Sequence, residues 1–170
     1  MTAPRQTGKL PLSKVGLASA VGLLLLAGFP APWAVRAAGP APALVVNPHT
    51  GLAISGFDPV AYFTDKVPKV GKPGLELSLA GGVWRFRNGA NRAEFAEHPN
   101  VYMPQFGGYD PVAIARGASV PGHPLYWSVT GERLYLFYSQ KSREQFLTDP
   151  GRIIAAAQRK WPRLAGTIGR

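Results

Sequence analysis

The candidate metal ligands of this chain are three histidines and one internal methionine, because the sequence contains no cysteine. No two histidines have the i, i+4 spacing with which a helix presents two imidazoles to zinc. His98, His123 and Met103 could form a nitrogen and thioether copper site. Alternatively, His98 precedes a proline at a predicted helix end, where a cation complements the helix dipole, and His123 lies in a predicted turn. We predict these structural roles and no bound cofactor, with the copper site as the alternative.

Paired charged residues are the second group that could carry chemistry. Asp58 and Asp110 could act as a catalytic carboxylate pair if their sites met. Each of them precedes a proline, however, and an aspartate followed by proline is typical of a helix N-terminus. Asp149 also precedes a proline, so we predict that all three aspartates are helix caps. Arg92 and Arg143 could clamp an anion, or could pair with a carboxylate or with helix-end carbonyls nearby.

The segment 101–111 is rich in aromatic and amide side chains and contains Gly107 and Gly108. These glycines permit positive φ angles and the close approach of another backbone or a ligand. We predict that Tyr102, Gln105, Tyr109 and Trp127 pack where two halves of the chain meet. The alternative, on which the functional hypothesis below depends, is that they line a small ligand-binding cleft between the repeats. The sequence has no nucleophile elbow, phosphate-binding loop or dinucleotide fingerprint, so we predict a protein that is not an enzyme.

The elements that position these residues occur twice along the chain. Residues 56–61 match residues 108–113 at five of six positions, and residues 71–99 match residues 122–150 at six further positions. Chance would give about two matches over the second stretch. We therefore interpret the chain as a tandem duplication, with one repeat at 47–104 and the other at 105–161.

Each repeat is predicted to contain a short helix, a β-hairpin and a second helix. The predicted helices cover residues 59–64, 91–98, 111–116, 142–149 and 151–161. β-Branched and aromatic residues around glycine-bearing turns predict the hairpins at 75–87 and 126–138. Phe95 and Phe146 are expected to face the sheets. Gly117 is expected to end the helix at 111–116. The predicted fold class is α+β, with two tandem helix–hairpin–helix units packed into one compact domain.

Residues 1–37 have the composition of a secretory signal peptide. Basic residues precede the apolar stretch 15–28, and the small residues Val35 and Ala37 suit cleavage after Ala37. The uncharged run 15–35 is also nearly long enough to span a bilayer, which would make this segment an anchor. We predict a periplasmic or secreted protein, or a membrane-anchored one if the leader is retained. The remaining predicted segments are a linker at 38–46 and a flexible tail at 162–170.

The chain is basic, with a formal net charge of +10. Its basic residues are spread among acidic ones and form no long run, so we predict no nucleic-acid binding. The positive charge is compatible with weak attraction to an anionic membrane or to acidic partners. Membrane contact is otherwise expected only through the N-terminal segment.

Four stretches carry a resemblance to a known family, namely GFDPVAYF (56–63), WRFRN (84–88), NRAEFAEHPNVY (91–102) and PQFGGYD (104–110). In these motifs the chain resembles the YHS domain family, over about residues 45–165. The resemblance implies a small α+β module, a type found attached to copper-transporting ATPases and phenol hydroxylases or exported alone. It also implies a metal-binding role linked to two cysteines. One follows the Asp-Pro-Val motif, and the other follows the aromatic residue of the second hairpin strand.

Other residues occupy those cysteine positions in this chain. They are Ala61 and Arg87 in the first repeat and Ala113 and Tyr138 in the second. Exported relatives often have Gly-Gly-Tyr-Cys-Ala where residues 107–111 here read Gly-Gly-Tyr-Asp-Pro. None of these replacements is a soft metal ligand, so the metal-binding role does not transfer with the motifs.

The function predicted from these features is that of an exported, YHS-like binding or accessory module. It would use the face between its repeats for a small ligand or a protein partner. One alternative is a copper or iron carrier or sensor with histidine and methionine ligands. Another is an accessory subunit of a periplasmic oxidoreductase, without an active site of its own.

Overall fold

The computed structural model describes residues 43–168 of the chain. The predicted leader at 1–37 with its cleavage site, the linker residues 38–42 and the last two residues lie outside the described residues. Within residues 43–168 the fold is mixed α+β, as predicted, with helices and two antiparallel two-stranded sheets. In the same part of the chain, no helix combines the length and the apolar character that crossing a bilayer requires.

The same succession of elements occurs in residues 43–104 and in residues 105–168, which we name the first half and the second half. The first half contains a 3₁₀ turn (Ile54–Gly56), α1 (Ala61–Thr64), β1 (Glu76–Leu79), β2 (Gly82–Arg85), α2 (Gly89–Glu97) and α3 (Pro99–Tyr102). The second half contains a 3₁₀ turn (Gln105–Gly108), α4 (Pro111–Arg116), β3 (His123–Thr130), β4 (Arg133–Phe137), α5 (Gln140–Thr148) and α6 (Pro150–Ala165). Strand β1 pairs with β2 and strand β3 with β4, so each half has its own hairpin, as predicted.

The two short helices begin at different places relative to their aspartates. Helix α4 begins directly after Asp110, whose carbonyl accepts the Ile114 N–H at 3.0 Å, and it ends at the left-handed Gly117, as predicted. Helix α1 begins at Ala61, two residues later than predicted. The reason is that the first helical hydrogen bond of the first half reaches the Val60 carbonyl, from the Thr64 N–H at 3.1 Å.

The last helix is longer than the sequence suggested. Helix α6 continues to Ala165 and contains Pro162, so the predicted flexible tail at 162–170 is wrong for residues 162–165. The Trp161 ring packs on Phe106 and Tyr109, with centroid distances of 5.8 and 5.7 Å. This tertiary contact holds the end of the helix on the domain. Packing therefore outweighs the break that a proline usually causes.

Both halves bury an equivalent trio of aromatic side chains. In each half, two aromatic side chains in the second strand or directly after it pack on a phenylalanine of the following helix. The trios are Trp84, Phe86 and Phe95 in the first half and Tyr135, Phe137 and Phe146 in the second. The four ring-centroid distances lie between 4.9 and 5.2 Å. These equivalent contacts support the interpretation that one unit was duplicated, and descent from a single unit stays a prediction.

Strand β4 joins the interiors of the two halves. Its side chains alternate between two hydrophobic clusters, as the two-residue period of a strand requires. Leu134 and Leu136 pack in the cluster of the first half, whereas Tyr135 and Phe137 pack in the cluster of the second. The buried Tyr62 adds a polar link, because its hydroxyl donates to the Pro124 carbonyl at 2.9 Å. The halves are thus held together by both apolar packing and a buried hydrogen bond.

Candidate functional site

The aromatic residues that were candidates for the lining of a cleft pack in three separate contacts. Tyr102 packs against Phe63 in an edge-on contact, and its hydroxyl donates to Glu94 Oε1 at 3.0 Å. Tyr109 packs on Trp161, and burial raises the pKa of its hydroxyl. Trp127 packs against Tyr62 with a centroid distance of 5.2 Å, and Gln105 is half-buried in the 3₁₀ turn before α4. The packing prediction therefore describes these side chains better than a shared cleft.

A cleft does lie beside the segment 101–111, but it has other walls. It has a volume of about 260 Å³ and is lined mainly by apolar groups. The lining residues are Ala43, Leu44, Met103, Pro104, Gly107, Trp161 and Ala165. Met103, Pro104 and Gly107 of the segment 101–111 line this cleft, whereas Tyr102, Gln105, Tyr109 and Trp127 do not.

The two arginines at equivalent positions have different surroundings. In the second half, the Arg143 Nε donates to the Trp127 carbonyl at 2.6 Å and so ties α5 to β3. In the first half, Arg92 is exposed on α2. The contact of Arg143 with a carbonyl of its own half favours a structural role over an anion clamp.

The three candidate metal ligands lie in structural positions. His98 is exposed at the junction of α2 and α3, and Met103 packs beside the cluster of the first half. His123 is the first residue of β3, so its predicted place in a turn is wrong, and its Nδ1 accepts the Leu125 N–H at 3.2 Å. Among the residues that the structure describes, no group of three or more histidine, cysteine or acidic side chains could hold a metal ion.

The aspartates Asp58 and Asp110 are more than helix caps. The Oδ1 of Asp110 accepts the N–H groups of Val112 and Ala113, as a cap does. Its Oδ2 accepts the N–H of Tyr138 at the end of β4 and the hydroxyl of Ser142 on α5. This carboxylate is 2% exposed, so it clamps three elements from inside the fold.

Asp58 makes the equivalent contacts in the first half. It accepts the N–H of Val60 at 2.9 Å, the N–H of Arg87 at 2.9 Å and the side-chain amide of Asn91 at 2.7 Å. It bonds the turn that leads into α1 rather than the first residue of the helix, so the cap prediction needs this correction. Asp149, in contrast, is an exposed cap that accepts the Arg152 N–H, as predicted.

A polar pocket lies above the Asp110 clamp, and we name it the Arg116 pocket. Its volume is about 340 Å³, which falls in the range of small-molecule sites. Asp110 and Arg116 lie at the two ends of α4, and the junction of β4 with α5, together with α5 itself, contributes the other polar side chains. The polar lining residues are Asp110, Arg116, Tyr138, Ser139, Lys141, Ser142 and Gln145.

The electrostatics of the Arg116 pocket favour a negatively charged ligand. Arg116 and Lys141 supply two positive charges, whereas Asp110 is the one acidic residue of the lining, all of which lies in the described part of the chain. The charge of Asp110 is already stabilised by four hydrogen bonds. The Arg116 guanidinium donates to Gln145 Oε1 at 2.6 Å, so a neutral amide orients it without neutralising it.

The first half closes the equivalent position with an ion pair. Arg87 occupies the place that corresponds to Tyr138 at the 51-residue shift of residues 71–99, and Asp65 directly follows Thr64, which corresponds to Arg116 at the 52-residue shift of residues 56–61. The Arg87 Nη1 lies 3.1 Å from Asp65 Oδ2. An arginine that already pairs with a carboxylate offers less to an external anion, so the second half provides the better site.

Sequence reasoning overlooked Arg116, Ser139, Lys141, Ser142 and Gln145. The available signal was the resemblance, because two positions where it implies a family cysteine, Ala113 and Tyr138, line this same pocket. No protein-family model, curated protein or solved structure matches the chain. The pocket is therefore interpreted from its own residues and geometry.

Proposed function

We propose that this protein is an exported, YHS-like binding module that holds a small anionic molecule in the Arg116 pocket. The observation that carries the proposal is that Arg116 and Lys141 both line one cavity of about 340 Å³. This site takes the place of the face between the repeats, since the aromatic side chains of that face pack against one another. The export of the protein rests on the composition of residues 1–37.

The ligand chemistry follows from the donors. A guanidinium forms two parallel hydrogen bonds with a carboxylate or a phosphate, and an ammonium adds a point charge. The Ser139 hydroxyl already accepts the Ser142 N–H, and its proton is available to an anion. The pocket thus fits a small molecule with a carboxylate or phosphate group.

The residues of the Arg116 pocket favour ligand binding over catalysis. Ser142 is the candidate nucleophile of the pocket, because its hydroxyl donates to the Asp110 carboxylate. The other contacts of the Asp110 carboxylate are to three backbone N–H groups, so it has a structural role. The three histidines all belong to the described residues, and none of them lines the pocket to take a proton from the serine. The metal-carrier and oxidoreductase-subunit alternatives stay predictions from the sequence.

Substitutions in the pocket should weaken anion binding in a selective way. We expect R116Q and K141Q each to reduce the affinity for the best-bound anion by about 10- to 100-fold, the usual cost of one charge-assisted contact. Isothermal titration calorimetry with inorganic phosphate, citrate and a sugar phosphate measures this. The control is R92Q, which removes an exposed arginine of α2 and should bind like the wild type.

Two results would overturn the proposed function. One is a wild-type protein that binds none of the three anions at millimolar concentration. The other is an anion affinity that R116Q and K141Q leave unchanged while R92Q lowers it. The binding site would then involve Arg92 instead of the Arg116 pocket. Thermal denaturation of each variant shows whether it is folded, so that lost binding is not confused with lost structure.

A further inference from the structure

The positive charge of the described domain is concentrated in its last helix. Residues 43–168 contain fourteen basic and nine acidic side chains. Four of the basic residues and none of the acidic ones belong to α6. The remainder is almost balanced, with ten basic and nine acidic residues. The charges that look scattered in the sequence therefore give the fold one strongly positive element.

Three arginines of α6 form a straight ridge on its solvent side. Arg152, Arg159 and Arg163 are exposed, and their spacing of seven and four residues places them within about 20° of one line along a helix. At 1.5 Å per residue, the ridge is about 16 Å long. The fourth cation, Lys160, points inward and donates to the Ala115 carbonyl at 2.7 Å.

The opposite side of α6 is fixed to the domain, so the ridge has a constant orientation. Ile153 and Ala157 are buried, and Ile153 belongs to the hydrophobic cluster of the second half. The other exposed positions of the helix are Gly151, Gln158 and Pro162, which carry no charge. Among the described residues, Arg152 is the one arginine of the ridge in an ion pair, with the exposed Asp149 at 3.2 Å, and an exposed pair of this kind is weak.

We propose that this arginine ridge binds the surface of an anionic phospholipid membrane. A line of cations on one rigid helix face complements a flat, negatively charged surface, which attracts each nearby basic residue. A nucleic-acid strand would additionally need a groove or aromatic side chains that stack on its bases. The one aromatic residue of α6, Trp161, is engaged by Phe106 and Tyr109, so the observations favour the lipid surface.

The test compares two variants of the full chain that lose the same number of charges. R152Q/R159Q/R163Q removes the ridge, and K66Q/K69Q/K72Q removes three lysines of the loop between α1 and β1. Co-sedimentation is measured with vesicles of phosphatidylcholine alone and of phosphatidylcholine with phosphatidylglycerol. The vesicles without phosphatidylglycerol report any binding by other parts of the chain.

We expect the wild type to bind better to vesicles that contain phosphatidylglycerol, and to lose this preference at high salt. Each cation near an anionic surface contributes about fivefold, so the ridge variant should lose about 100-fold of the added binding. The loop variant should retain most of it, and calorimetry with phosphate should give the same affinity for both variants. Circular dichroism verifies that each variant is folded.

Three outcomes would overturn the membrane proposal. Equal losses in the two variants would show that net charge alone drives binding. No preference for phosphatidylglycerol would remove the electrostatic basis. Binding to a single-stranded DNA oligonucleotide without binding to the anionic vesicles would assign the ridge to nucleic acid instead. None of these outcomes bears on the Arg116 pocket, because its lining contains none of the three ridge arginines.

Discussion

Alanine in place of Gly107 is expected to lower the free energy of unfolding by about 3 kcal/mol or more, since it combines left-handed backbone strain with overpacking. Gly107 has a φ of 61°, and a Cβ built on it would lie 1.8 Å from the Ala43 carbonyl oxygen. The neighbouring Val45 N–H donates to the Gly107 carbonyl at 2.8 Å, so the two chain segments cannot separate without losing a hydrogen bond. Urea denaturation followed by circular dichroism measures the loss.

Gly131→Ala is the matched control for this experiment. Gly131 lies in the turn between β3 and β4 with a φ of 57°, and a Cβ there would meet nothing within 4 Å. It should therefore show the backbone strain alone, about 1 to 2 kcal/mol. Equal losses of unfolding free energy in the two variants would contradict the close approach of residues 43–45 to the 3₁₀ turn Gln105–Gly108.

Asp58→Asn and Asp110→Asn are expected each to cost about 3 kcal/mol, because a buried donor is left without an acceptor in each case. An asparagine has the same shape as aspartate but only one acceptor oxygen. At Asp110, the new amide group would face the Tyr138 N–H, which is a second donor. At Asp58 it would face the Arg87 N–H and the Asn91 amide.

The control for both substitutions is Asp149→Asn. Asp149 caps α6 from an exposed position, and asparagine is as good an N-cap as aspartate, so the expected change is below about 0.5 kcal/mol. Chemical denaturation of all three variants gives the comparison. If Asp58→Asn and Asp110→Asn lowered the free energy of unfolding as little as Asp149→Asn, the two buried aspartates would be ordinary helix caps. Their proposed role in holding three elements together would then be wrong.

The sequence predicted those parts of the fold that depend on local signals. Aspartate and proline mark the start of α4, and alternating aromatic residues around a glycine turn mark the hairpin of the second half. Gly107 was expected to allow the close approach of another backbone, and the Ala43 carbonyl provides that approach. The first two signals act through residues that are close together along the chain, whereas the approach at Gly107 brings in a distant segment.

The Arg116 pocket could not be predicted in the same way. Arg116 and Gln145 are separated by 29 residues, and they meet only because α4 packs beside α5. Asp110 was understood as a cap, but its bonds to Tyr138 and Ser142 depend on how β4 ends against it. The end of α6 was misjudged for a similar reason, because the packing of Trp161 is not visible from the proline that follows it.

The most direct test of the anion site is a titration of the ¹⁵N-labelled protein, observed by amide NMR spectra, with the anion that calorimetry shows to bind best. We expect the amide signals of residues 112–116 and 138–145 to move together and saturate, and R116Q to abolish the movement. Signals near Leu44 and Met103, which line the apolar cleft, should stay in place. Saturable movement confined to that cleft, with the Arg116 pocket unchanged, would contradict the proposed anion site.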